Sequence, residues 1–107
     1  MTRSDGFRTW SIDANAHAYR VGQTIIPWSD IIEIVAFKRD LLTEDQICIG
    51  LHVGDGENYE YLEEDNPGYK AIVADLELRF GLDDGWWQRI AFPTFETNLS
   101  TVWERTD

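Results

Sequence analysis

Cys48 and His52 are the residues in this sequence that most resemble a nucleophile and its base. A strand through "ICIGLHV" puts them on one face, but four residues at ~3.3 Å each leave their backbones ~13 Å apart. Attack needs the two groups within ~3 Å, so the pair does not make a dyad. A solitary strand cysteine is expected to be a small structural filler. His17 and His52 fall in unrelated strands and are expected as structural or surface residues rather than metal ligands. "DLLTED" and "DGENYE" gather Asp40, Glu44, Asp45, Asp55, Glu57 and Asn58, yet glycine and glutamate miss the positions a calcium loop requires. Glu63-Glu64 and Asp83-Asp84 are adjacent acids, whereas glycoside hydrolysis needs carboxyls facing each other across a cleft. No phosphate-cradling glycine loop, GxSxG or HExxH occurs. The expectation is a protein that is not an enzyme, with no catalytic, cofactor-binding or metal-ligating residue; the alternative is a small-ligand binder or enzyme whose pocket the sequence does not reveal.

Binding is better served. After Gly81 the chain reads "LDDGWWQRIAFPTFETNLSTVWER", and Trp86, Trp87, Phe92, Phe95 and Trp103 are the candidate partner-binding residues. Tryptophan concentrates at interface hot spots, but it also fills cores well. Left exposed, these aromatics would form a larger patch than soluble monomers usually carry. The tail is therefore expected to fold back onto the body, with a homodimer seam as the competing arrangement. Trp28 is expected in the core.

Charge narrows the choice of partner. The 107 residues carry a net charge of -11. From Asp40 to Asp65 there are nine acids and no Lys or Arg. Affinity for nucleic acid comes from neutralising phosphates, so DNA and RNA are disfavoured, and anionic membranes likewise. A basic protein is the electrostatic match, as in an immunity-type inhibitor; the plainer reading is acidity for solubility. No apolar run approaches the ~20 residues of a membrane helix. The lone cysteine and the absence of an apolar leader suggest a cytoplasmic protein.

The elements that must position these residues are mostly strands. Phe7 to Ile12 alternates as a strand, and His17, Tyr19 and Val21 share one face of a second. Gly22-Gln23 turns into Thr24-Ile25-Ile26, which Pro27 ends or confines to an edge. Ile32 to Arg39 is β-branched and aromatic; the rival is a short helix from Ser29 or Asp30, given the capping-box spacing of Asp30 and Glu33. Ile47, Ile49, Leu51 and Val53 alternate with Cys48, Gly50 and His52, and Tyr59 and Tyr61 flank Glu60 on the returning strand. The period then changes. Asn66-Pro67 predicts a helix start, and Tyr69, Ile72, Val73, Leu76 and Phe80 form an apolar stripe that Gly81 ends. A narrower stripe, Ala71, Ala74 and Leu78, lies opposite. Asp83-Asp84 can cap a short helix with Trp86, Trp87 and Ile90, and Ser100 to Glu104 fits a last strand.

Several antiparallel strands followed by one capping helix resemble the pleckstrin-homology-like superfold in its bacterial form. "VGQTIIPWSDIIEI" looks like the stretch there in which a short strand ends in Pro-Trp and a polar corner leads on. The resemblance covers residues 7–81 and leaves 82–107 as an appended C-terminal extension. It implies a binding or scaffolding module. Lipid-binding members use basic residues near the barrel mouth, and Ala14-Asn15-Ala16 offers none. Six strands are visible where that family has seven, so the tail or an unseen strand must complete the count. The expected architecture is one α+β domain, residues 1–107, with a strongly bent antiparallel sheet or partly open barrel, a helix over 67–80, and the extension packed on it.

Overall fold

A computed structural model describes residues 8–40, 45–54, 58–82, 84–91 and 99–106. The first hairpins are short because the chain turns at polar residues. Strands β1 (Trp10–Asp13), β2 (Ala18–Val21) and β3 (Thr24–Pro27) form a three-stranded antiparallel sheet in the order β1-β2-β3. Trp10 faces Val21 across β1 and β2, and Tyr19 faces Ile26 across β2 and β3. Trp10, Tyr19, Val21 and Ile26 are all buried.

His17 does not belong to β2 as the alternation suggested. It closes the preceding turn in the left-handed conformation, φ 53°, which histidine tolerates better than most residues. Asp13 Oδ1 accepts the Ala16 N–H at 3.2 Å, and the His17 carbonyl accepts the Trp28 N–H at 3.0 Å. The first bond holds the turn and delays the strand by one residue, while the second runs across to the residue that follows β3.

The corner after β3 is a single 3-10 turn, Trp28–Asp30, and strand β4 (Ile31–Asp40) leaves it directly. The spacing of Asp30 and Glu33 therefore has no helix to cap. Strands β5 (Asp45–Val53) and β6 (Asn58–Leu62) follow as hairpins. On β4 and β5 the residues Ile34, Ala36, Ile47, Ile49 and Leu51 turn inward and are buried.

Helix α1 spans Tyr69–Phe80, two residues later than the Asn-Pro signal indicated. Asn66 is buried in the turn ahead of it, where its Oδ1 accepts the Glu63 N–H at 2.7 Å. The N-cap is Gly68, at φ 93°. The Pro67 carbonyl accepts the Trp10 N–H at 2.9 Å, so the turn is pressed against β1. A Cβ on residue 68 would overlap the Trp10 carbonyl. Only glycine meets both demands.

The aromatic tail enters the core. Helix α2 (Trp86–Ala91) packs against β4 and β5, and strand β7 (Leu99–Glu104) pairs antiparallel with β4. Leu99 stands opposite Phe37, Thr101 opposite Val35 and Trp103 opposite Ile34, with Val102 as the extra residue of a bulge. The second sheet thus runs β6-β5-β4-β7. The result is an α+β arrangement of two open antiparallel sheets sharing one core with two helices, and the seventh strand comes from the tail. The Ala71, Ala74 and Leu78 stripe on α1 stays uncovered, Leu78 being 86% exposed. The tail used the sheet instead, because β4 offered both an unpaired edge and an apolar face.

Candidate functional site

Strand parity divides the four-stranded sheet into a face toward the core and a face away from it. The outer face carries Glu33, Val35 and Phe37 from β4, Gly50 and His52 from β5, Tyr59 and Tyr61 from β6, and Leu99 and Thr101 from β7. The aromatic rings there form a chain. His52 stacks on Tyr59 at 4.6 Å, Tyr59 lies parallel to Tyr61 at 5.9 Å, and Tyr61 meets Phe37 edge-on at 5.8 Å.

Gly50 makes this possible. A Cβ at that position would come within 2.9 Å of Val35 Cγ2 and 3.2 Å of the Tyr61 ring. Without it, Tyr61 lies across the strand. The outcome is an open groove of about 510 Å3 lined by Val35, Phe37, Tyr59, Tyr61, Glu63 and Leu99. Leu99 is 66% exposed and Tyr61 45%, unusual for large apolar side chains that face one another.

Carboxylates stand at both ends. Glu63 lines one end. At the other, Glu33 accepts the Thr101 hydroxyl at 2.7 Å and the Tyr59 hydroxyl at 3.3 Å, with His52 Nδ1 3.5 Å away. Glu33 therefore ties β4 to both edge strands. Register places Glu104 directly opposite Glu33, which adds a second negative group there. The His52–Glu33 pair sits beside an open groove and not inside an enclosed pocket.

The residues singled out from the sequence are dispersed. Trp86 is 1% exposed, and its indole N–H donates to Glu77 Oε2 at 2.9 Å. Trp87 is half-buried, edge-on to Trp86 at 5.5 Å, and borders a shallow cleft with Tyr69, Val73 and Ala74. Trp103 is half-buried against Phe80 at 4.7 Å, and no described cleft is lined by both Trp87 and Trp103. Phe92 and Phe95 lie outside the described residues. Cys48 is buried, while His17 sits by the other sheet, edge-on to Trp28 at 5.6 Å. Among the described residues no three His, Cys, Asp or Glu side chains are placed to hold a metal ion.

Trp28 is half-buried, within a network that joins α1 to the three-stranded sheet. Tyr19 donates its hydroxyl to Asp75 Oδ2 at 2.6 Å, Arg79 grips both Asp75 oxygens, and the Arg79 guanidinium lies 3.2 Å over the Trp28 ring. Burial, reinforced by the Asp75 carboxylate, holds the Tyr19 hydroxyl far above the usual tyrosine range. Burial opposes ionisation of Asp75, but hydrogen bonds from Arg79 and Tyr19 outweigh it and leave the carboxyl below the ordinary value.

Part of the acidic run is absorbed in the same structural way. Glu64 accepts the Ile47 N–H at 2.9 Å, Asp65 accepts the Gln46 amide at 2.6 Å, and Glu60 pairs with Arg8 at 3.1 Å. Among the described residues no helix is long and apolar enough to cross a membrane. No family model, curated protein or solved structure matches the chain.

Proposed function

We propose that this chain is a non-catalytic protein-interaction module whose outer sheet groove docks a basic, amphipathic segment of a partner protein. The observation that carries the proposal is the groove itself: exposed Leu99 and Tyr61 beside Val35, Phe37 and Tyr59, with carboxylates at both ends. Apolar side chains of a partner would bury against the rings, and its Lys or Arg residues would meet Glu63 at one end and Glu104 at the other. The net charge of -11 would speed encounter with a basic protein and repel nucleic acid.

The immunity-type neutraliser is the special case in which the partner is a basic toxin or enzyme. A resemblance to the pleckstrin-homology-like superfold would fit the binding role, and the order of six strands followed by helix α1 favours it. Strand β7, arriving after the helices, departs from that order. The lone, buried Cys48 suits a reducing compartment such as the cytoplasm.

A synthetic amphipathic peptide of Leu and Lys, with its Leu/Glu counterpart as control, tests the reading by NMR titration. The Leu/Lys peptide should shift Tyr59, Tyr61 and Leu99 signals and weaken as salt rises. Leu99→Ser combined with Tyr61→Ser should cut affinity about tenfold or more. Equal binding by wild type and variant, or equal binding of both peptides, would reject the groove. Self-association that Leu99→Ser abolishes would replace the basic partner with a second copy of the chain.

A further inference from the structure

On the side of the molecule away from that groove, three stretches of chain converge at the C-terminal end of α1. Trp28 and Ser29 come from the 3-10 turn, Arg79 and Phe80 from the last helical turn, Trp103 from β7, and Arg105 from just beyond it. They line a cleft of about 380 Å3, within the size range of small-ligand sites. Phe80 and Trp103 meet edge-on at 4.7 Å and supply its apolar wall.

The two guanidinium groups differ. Arg79 is neutralised by Asp75, with Nε at 2.9 Å from one carboxylate oxygen. Arg105 pairs with no carboxylate among the described residues. Its Nη2 donates to the Ser29 carbonyl at 2.8 Å and the Ile31 carbonyl at 2.7 Å, and its backbone N–H donates to Ile32 at 2.9 Å. A guanidinium has five donors, so Nε and Nη1 keep bonding capacity while the group is held in place. This is a pre-positioned positive charge beside an indole, 5.8 Å from the Trp103 ring centre, in a chain of net charge -11.

We infer that the cleft binds a small carboxylate carried on a planar group, the carboxylate on Arg105 and the ring against Trp103 and Phe80. The C-terminal carbonyls of α1 carry partial negative charge near Phe80, which sets the orientation. An anion is repelled at that end and accepted at Arg105. Glu104, the neighbouring acid, stands opposite Glu33 on the other face of the sheet. With Nη2 committed to the two carbonyls, Nη1 or Nε is left to give the carboxylate a single charge-assisted bond, stronger than the bond a neutral amide would accept.

Benzoate, its neutral isostere benzamide, and acetate are the probes, titrated into the full chain with detection of the tryptophan indole and arginine Nε signals. Benzoate should shift Trp28, Trp103 and Arg105. Benzamide and acetate should each bind about tenfold more weakly or worse, the loss expected for one charge-assisted bond or one ring contact. Arg105→Gln should bring benzoate down to the benzamide level, and Trp103→Leu should weaken benzoate while leaving acetate unchanged. Benzamide binding as well as benzoate, or shifts confined to the Tyr59–Tyr61 groove, would overturn the assignment. Arg105 also fastens the end of β7, so Arg105→Gln is read together with a melting curve. The comparison of the three probes on the wild-type chain decides the matter even if that variant unfolds.

Discussion

Replacing Trp86 by alanine tests whether the tail is part of the core. The indole is 1% exposed and packs with Ile90 among the residues that β4 and β5 turn inward. A tryptophan buries ~150–250 Å2. At ~25 cal/mol per Å2 that corresponds to about 4–6 kcal/mol, and measured truncations of buried tryptophans fall at ~3–5 kcal/mol. The bond to Glu77 adds little, because Glu77 is exposed and its carboxylate regains water. A loss of about 3–5 kcal/mol is therefore expected, out of the ~5–15 kcal/mol typical of a small domain. Trp87→Ala, removing a half-buried ring, should lose about 1–2 kcal/mol. Urea unfolding followed by circular dichroism separates the two, with the denaturant slope unchanged for each. If Trp86→Ala lost less than ~1 kcal/mol, or no more than Trp87→Ala, the indole would not be a core residue in solution and the tail would have to be placed elsewhere.

Three further outcomes follow from the packing. Gly68→Ala should lose more than ~2 kcal/mol, since it combines a left-handed backbone with overlap on the Trp10 carbonyl; Gly81→Ala, with open space around it, should lose only ~1 kcal/mol. Similar midpoints in urea for the two variants would contradict the tight β1–turn contact. Asp75 has a folded pKa below its unfolded value, so its contribution is complete above pH ~4 and fades as pH falls through the lower folded value. Asp75→Asn should therefore be destabilised at neutral pH by an amount that shrinks in acid, and a gap independent of pH would show the charge to be unimportant. Leu99→Ser should change stability by less than ~0.5 kcal/mol while impairing the groove, because a largely exposed leucine contributes little to folding.

Element type was legible wherever one period dominated. The alternation through Ile47, Ile49 and Leu51 and the helical stripe through Tyr69, Ile72 and Leu76 both lie where the pattern put them. Local competition defeated the finer details. His17 was drawn out of β2 by turn hydrogen bonds, and Asn66 was taken from its capping role by the Glu63 N–H, decisions made by contacts of a few residues that periodicity averages away. Strand β4 hid the groove. "IEIVAFK" has apolar residues on both parities and one charge on each, Glu33 with Val35 and Phe37 and Lys38 with Ile34 and Ala36, so the pattern does not say which pair faces the core. Partners chosen from far along the chain settled that, with α2 below the sheet and Leu99 beside its outer face. Tyr59 and Tyr61 were visible as neighbours on one face, but their exposure depended on Gly50, whose missing side chain lets Tyr61 lie across β5.

The acidic run shows why charge counts alone misplace an interface. Glu60, Glu64 and Asp65 look like a continuous negative face, yet each holds a donor of this same chain: Arg8, the Ile47 N–H and the Gln46 amide. Such carboxylates are poorly available to a partner, since binding one would first strip a bond from the fold. Glu63 and Glu104 are different. Both line or flank the ends of an apolar strip, and no acceptor bond from the Glu104 side chain is found among the described residues. Apolar contact needs no particular orientation, whereas the separated charges fix register and direction. Selectivity for a basic segment would then come from two well-placed carboxylates rather than from the sum of -11. Neutralising Glu60, Glu64 or Asp65 should alter stability more than recognition, and neutralising Glu104 should do the reverse.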